Sequence, residues 1–321
     1  MQGLETFTDW FAGIGGFRLA GEAAGLKCVG SCENDRFARQ TYAKNFGREP
    51  EFWDAREVDP ASIPDHDLFC AGFPCQSFST AGKKLGFEDA RGTLFFEICR
   101  ILDVKRPNYF LLENVKGLLI ASHREADGTH VPGTSGQLFY RILESLGDLG
   151  YTVQWQVLDS RYWVAQHRER TYIVGSARGL PVPEVFPLFE DAREMADNTP
   201  WRSEALGNVA NWSQPPSLRS NPNPWHQGQT GRVYGPGSTC PTLSTGREPM
   251  LDDKGRLRIL TPTERERLMG FPDGWTEGVS DDQRFKQTGN AVVTKVAEAV
   301  IRRLVECHDN QWRRPEPKAI R

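Results

Sequence analysis

The 321-residue chain has no apolar run approaching the roughly 18 residues that a membrane span requires. Its opening, MQGLETFTDW, lacks the basic stretch followed by an apolar one that marks an export signal. These absences lead us to expect a cytoplasmic protein with no membrane partner. Cysteine is sparse: seven residues, at 28, 32, 70, 75, 99, 240 and 307, an odd number without framework spacing. No disulfides are expected, and with no CxxC or histidine cluster no metal site is expected either. Positive charge is not in excess. Lys plus Arg number 39 against 42 acids, a net charge of -3, which excludes bulk polycationic attraction to nucleic acid and makes any such surface local. Internal repeats and low-complexity tails are also missing. What remains is an ordinary composition, 38% hydrophobic and 25% charged, in a chain long enough for one large domain and a smaller one.

Residues 5–178 alternate short apolar runs with amphipathic stretches. TFTDWF, CVGSCE, LFCAGF, YFLLENV, TVQWQVLD and TYIVGSA read as strands, and RFARQTYAKNF and GTLFFEICRILDVK as helices. Such alternation predicts an α/β fold with a mostly parallel sheet covered by helices on both faces. From about residue 180 the pattern breaks into Pro- and Gly-rich sequence, with PTERERLMGF as its clearest helix. Residues 291–306, AVVTKVAEAVIRRLVE, return to helical spacing and should pack back onto the first part. We expect one domain from 1–178 plus 283–321, with a smaller, irregular domain at 179–282. Between Arg202 and Arg247 four arginines (202, 219, 232, 247) face one acid, Glu204, among Trp201, Trp212 and Trp225, a local candidate for binding nucleic acid.

The first chemical signal is TDWFAGIGGFRLAGEAAG, residues 8–25. A strand runs into Gly13, Gly15 and Gly16 before a helix, which lets backbone approach a ligand at the strand's carboxyl end. The strict GxGxxG dinucleotide pattern fails at Arg18. About twenty residues on, Glu33 ends a second strand where an acid can take both ribose hydroxyls. Asp54 in FWDA could accept from an adenine amino group. A glycine turn and two acids, with nothing to cradle a pyrophosphate, suit S-adenosylmethionine better than a dinucleotide.

The second signal is a set of residues at strand ends. Cys75, in AGFPCQSFST, follows one strand, Glu113 of ENV ends the next, and QHRER, with Arg168 and Arg170, begins another. All should share one rim of the sheet.

These residues carry a resemblance. FAGIGGF (11–17), GFPCQ (72–76), ENV (113–115), QHRER (166–170), CPTLS (240–244), LTPTERERLMGFP (260–272) and QTGNAVV (287–293), in this order, resemble the bacterial DNA cytosine-5 methyltransferases, with Ile63 through Phe96 especially close to restriction-associated members. The resemblance implies a Rossmann-like, S-adenosylmethionine-dependent catalytic domain with a target-recognition domain inserted before the C-terminal helix. It also implies that the Cys75 thiolate adds to C6 of a flipped-out cytosine in a specific duplex sequence, that Glu113 manages the proton near N3, and that Arg168 and Arg170 hold the base and the catalytic groups. Cofactor contacts carried over are Phe11, Gly13, Gly15, Glu33, Asp54, Pro74, Leu94 and Asn290, with S-adenosylhomocysteine as product. Ser79 and Arg91, on a loop after the cysteine, match positions that meet the DNA backbone. Arg219, Arg232 and Arg247 are the candidates for reading DNA. One departure is Asn34, where relatives often carry an aromatic beside the adenine, and this throws stacking onto Phe11 and neighbouring aliphatics. The partner implied is double-stranded DNA, bound by a monomer. Two other readings stand beside this one: a relative acting on transfer RNA, and a non-catalytic DNA-binding regulator on the same fold. The chain lacks the Cys-Phe-Thr signature of the first and keeps the cysteine, ENV and QxRxR that the second loses.

Overall fold

The computed structural model describes residues 3–73, 94–121, 134–188, 240–247, 249–251 and 256–312. Six strands form one sheet: β1 (Thr6–Trp10), β2 (Lys27–Cys32), β3 (Leu68–Gly72), β4 (Tyr109–Val115), β5 (Tyr151–Asp159) and β6 (Glu169–Ala177), in the order β2-β1-β3-β4-β6-β5. Four of them run parallel, as the alternation of strand and helix predicts. The sixth departs from that pattern. β6 lies antiparallel to both β4 and β5, reached from β5 by a short connection whose only regular piece is a 3-10 turn, Ser160–Tyr162. A connection this short cannot make the crossover that a parallel neighbour needs.

Each inner strand sends alternate residues to two separate cores, because successive side chains leave a strand on opposite faces. Leu68, Cys70, Tyr109, Leu111, Tyr172 and Val174 pack on one side with Phe17 of α1 (Gly16–Ala23). Phe69, Ala71, Phe110, Leu112 and Ile173 pack on the other with Ile98 and Ile101 of α3 (Leu94–Lys105) and Ile142 of α4 (Gln137–Asp148). A last helix, α7 (Thr294–Trp312), returns to the first face and buries Val296, Val300, Ile301 and Leu304 there. Both faces of the sheet are thereby covered, which is why its strands read as near-continuous apolar runs.

The later part of the chain joins that first core. α5 (Pro262–Leu268) opens on a capping box, Thr261 Oγ1 accepting from Glu264 N at 3.2 Å while Glu264 accepts from Thr261 N at 2.8 Å. After it Leu268, Met269, Phe271 and Trp275 are buried against the β1–α1 layer, and the Trp275 indole donates to Ile14 O at 3.0 Å. α6 (Asp281–Asn290) and a small hairpin, β7 (Pro249–Leu251) and β8 (Leu257–Ile259), complete the described elements. Leu260, Leu268, Met269, Phe271 and Trp275 thus belong to the same buried cluster as β1 and α1. Among the described residues no helix is long and apolar enough to cross a membrane, and six cysteines carry free thiols.

Beneath the glycine turn, β1 holds a buried acid. Asp9 is fully enclosed; its Oδ2 accepts from Arg18 N at 3.0 Å and its Oδ1 has no partner. Burial pushes its pKa up to about 8 from 3.8. The folded chain therefore holds a proton that the unfolded chain has already released, and Asp9 makes stability fall as pH rises between about 4 and 8. We expect Asp9→Asn to flatten this dependence: thermal melts at pH 5 and pH 8 should lie closer together in the variant than in the wild type, by several degrees.

Candidate functional site

Folding gathers the strand ends around a cavity of about 580 Å³, within the range of small-molecule sites. It opens where the chain leaves β1 for β2 on one side and returns to β3 on the other, the switch point at which open α/β sheets bind ligands. The turn after β1 forms its floor. Gly13 and Gly15 have φ of +55° and +86°, in the left-handed region that glycine enters without strain. A side chain on Gly15 would meet Phe46 at 2.2 Å, so space as well as conformation demands glycine there; a β-carbon on Gly13 would meet nothing within 4 Å, and that residue lines the cavity. Phe11, which also lines the cavity, shares the left-handed conformation at φ +55° despite its β-carbon.

Glu33, at the end of β2, faces this turn. Its carboxylate accepts from Gly13 N and Asp35 N, both at 2.7 Å, which fixes the acid at the cavity wall. Burial raises its pKa and the backbone donors oppose the rise. Asp54 lies on the same wall, held by Arg56, whose Nε donates at 2.9 Å; that hydrogen bond lowers the carboxyl pKa and keeps an ionised acceptor there. Leu94, at the start of α3, and Asn290, at the end of α6, close the cavity from above.

The opposite end is built by β4 and β6. Because they run antiparallel, the last residues of β4 sit beside the first of β6, with Val115 paired to Arg170 and Glu113 to Tyr172. Arg170 Nε lies 3.2 Å from Glu113 Oε1, and both side chains are nearly enclosed. Burial raises the Glu113 pKa, and Arg170 and then Arg168 pull it back. The carboxyl thus stands enclosed beside a guanidinium at one wall of the cavity. The next residue does different work: Asn114 Nδ2 donates to Phe73 O at 2.9 Å, two residues before Cys75. Adjacent strand residues point to opposite faces, so ENV can present an acid to the cavity and hold Phe73 with consecutive side chains.

The same two-residue period explains QHRER. Gln166, Arg168 and Arg170 share one side of an extended segment. Gln166 is fully buried, donating to Leu268 O at 2.9 Å and accepting from Leu243 N at 2.9 Å. Arg168 donates to Leu243 O at 3.2 Å, Gly289 O at 2.9 Å and Ala291 O at 3.0 Å. Only its buried Nε lacks a partner. Burial and the neighbouring Arg170 lower the Arg168 pKa to about 9, still above neutral pH. Arg168 is thus a positioning residue that ties CPTLS and QTGN to the sheet, and Arg170 is the guanidinium next to the acid. His167 and Glu169, on the alternate side, pair outward with Asp159 and Lys116.

Sequence reasoning missed several residues here. Arg265 and Glu266 are fully buried: Arg265 donates to Gly246 O at 2.6 Å and Phe285 O at 2.8 Å, while Glu266 accepts from Gly274 N and Thr276 N. Their adjacency in a charged helix gave no sign of burial. Asn114, Gln166 and Trp53 were all inside quoted motifs without a role; Trp53 lines the cavity beside Asp54. Of the residues proposed to meet DNA, Arg247 is described, and it pairs with Asp282 at 2.8 Å. Pro74, Cys75, Ser79, Arg91, Arg219 and Arg232 lie outside the described residues. Among the described residues, no group of three or more His, Cys, Asp or Glu is placed to hold a metal ion.

Known proteins are similar to this chain in sequence and fold. The family model for C-5 cytosine-specific DNA methylase matches residues 6–223 and 203–306. Type II methyltransferase M.NgoBI of Neisseria gonorrhoeae is 42% identical over 299 residues, covering 91% of this chain and 90% of its own length. Type II methyltransferase M.HaeII of Haemophilus aegyptius is 39% identical over 305 residues, 92% of each chain. In three dimensions the fold is similar to that of the S. pombe Dnmt2 methyltransferase, with a TM-score of 0.69 at 19% identity over 94% of this chain and 98% of that one. With a family match across most of its length and relatives of this identity, the chain belongs to the C-5 cytosine-specific DNA methylase family and is a DNA cytosine-5-methyltransferase.

Proposed function

We propose that the enzyme methylates C5 of a flipped-out cytosine within a specific duplex DNA sequence, using S-adenosylmethionine and a covalent Cys75–C6 intermediate. The observation that carries this reading is the buried Glu113–Arg170 pair at one end of a cavity whose other end is the Gly13 turn and Glu33. A base and an adenosine group would thus occupy opposite ends of one space. The residues present fit the cofactor: Gly13 lines the cavity with free space where a side chain would stand, Glu33 is an oriented acceptor for ribose hydroxyls, and Asp54 is an ionised acceptor suited to an amino group. When bound, S-adenosylmethionine supplies an electrophilic methyl group.

The chain's own residues supply the activation. A free thiol with a pKa of about 8.5 is only a few per cent ionised at neutral pH, and no histidine base is adjacent to Cys75 in sequence. Attack by sulfur on C6 pushes an electron pair into the ring, and a proton delivered at N3 by Glu113 absorbs it. C5 then becomes nucleophilic. Arg170 stabilises charge on the base, and loss of the C5 proton later expels the thiolate. C6 is inaccessible in a stacked duplex, so the base must leave the helix at a cost of a few kcal/mol. The loop after Cys75, with Ser79 and Arg91, would close over it and meet the backbone. Residues 180–239, which hold Trp201, Trp212 and Trp225, would read the sequence through Arg219 and Arg232, with Arg247 just beyond. Such an enzyme acts as a monomer in the cytoplasm, where the DNA is.

Two outcomes follow. Purified protein given a labelled methyl donor should methylate duplex DNA and leave transfer RNA unlabelled, and bisulfite sequencing of DNA from expressing cells should show one methylated motif. Label on transfer RNA alone, or on neither, would overturn the reading. Glu113→Gln keeps size and removes the proton, so kcat should fall about 10²–10⁴-fold while cofactor affinity stays within a few fold. An unchanged kcat would remove Glu113 from the reaction.

A further inference from the structure

The cofactor end of the cavity is walled by a residue that no motif accounts for. Trp53 is a large aromatic left 59% exposed, yet it is held firmly. The preceding residue is clamped to the edge of β2 on both sides: Phe52 N donates to Ser31 O at 3.0 Å and Glu33 N donates to Phe52 O at 3.1 Å. The Phe52 ring stacks on Trp10, centroids 5.7 Å apart and planes 13° from parallel. The Trp53 ring is covered by Arg39, whose guanidinium carbon lies 3.9 Å from its centroid. Arg39 is drawn from α2 (Arg36–Phe46); Glu49 at 4.0 Å is its distant counter-ion, and its buried Nε has no hydrogen-bond partner. A buried guanidinium nitrogen without an acceptor is costly, and the cation–π contact is what this arginine gains in its place.

The indole lines the cavity together with two oriented acids. Glu33 follows the strand to which Phe52 is bonded, and Asp54 is the next residue after Trp53; all three line the cavity with Ala55, while Asn34, a non-aromatic amide, lines it beside Glu33. A purine flanked by acceptors for its ribose and its amino group lacks only a flat surface, and Trp53 is the exposed aromatic surface in that position. We propose that the indole of Trp53, covered by Arg39, is the stacking wall for the adenine ring of the bound cofactor. This rests on the reading that an adenosine ligand occupies this end of the cavity.

S-adenosylhomocysteine binding to the full chain tests it by calorimetry and by tryptophan emission. Trp53→Ala should weaken binding about tenfold or more, the range of base–aromatic stacking, and Trp53→Phe should stay within about threefold of wild type. The emission difference between wild type and Trp53→Phe, which isolates Trp53 among nine tryptophans, should be quenched on binding. Arg39→Met should reduce affinity less and shift the Trp53 emission in the absence of ligand. Because the indole is exposed, ligand-free melting of Trp53→Ala should match wild type. Wild-type affinity in Trp53→Ala, with Glu33→Ala losing binding, would overturn the wall and leave the cofactor reading intact. Failure of Glu33→Ala to weaken binding would overturn that reading itself.

Discussion

A carboxyl group and a guanidinium enclosed side by side at the rim of a sheet, Glu113 and Arg170 at 3.2 Å, are the constraint around which this site is organised. Neither would be stable there alone, since an unpaired buried charge costs several kcal/mol. Their meeting depends on chain direction. Had β6 run parallel to β4, its first residues would lie at the far edge of the sheet from Glu113. The antiparallel return from β5 brings Arg170 to the end of β4, and the extended backbone before it brings Arg168 and Gln166 to the same side. Those two use their donors and acceptor on backbone groups of residues 243, 268, 289 and 291, so one short segment both charges the site and fastens the later part of the chain to it.

The strand order spreads the lining of a single cavity across the sheet. The glycine turn and Glu33 follow β1 and β2, and Glu113 and Arg170 belong to β4 and β6, with β3 between them. Asn114 ties the end of β3 to β4 by holding Phe73, so the last described residue before Cys75 is fixed by the strand that carries Glu113.

Much of this was legible in the sequence. All six strands, the turn at Gly13 and Gly15, and the facing acid at Glu33 follow from period-two apolar runs and from glycines at a strand end, which are local signals. The direction of β6 was not, because alternation of strand and helix specifies neighbours without specifying sense. Arg265 and Glu266 were hidden for another reason: charges on a short helix look solvated, and only the packing of residues 244–246 and 274–276 around them shows that they are interior. Trp53 was overlooked because an exposed aromatic has no periodicity, and its value comes from Arg39, fourteen residues away and on another element. Met269 and Phe271 share a core with β1 although they stand in Pro- and Gly-rich sequence, since that composition reports irregular backbone and says nothing of what a segment packs against.

The central claim is that sulfur adds to the base before the methyl group arrives. Replacing the target cytosine in a duplex by 5-fluorocytosine removes the proton whose loss frees the enzyme. With the methyl donor present, wild-type protein should form a DNA adduct that survives denaturation, and Cys75→Ser should form none. An active wild-type enzyme that gives no adduct, or a Cys75→Ser variant that gives the same one, would contradict the account.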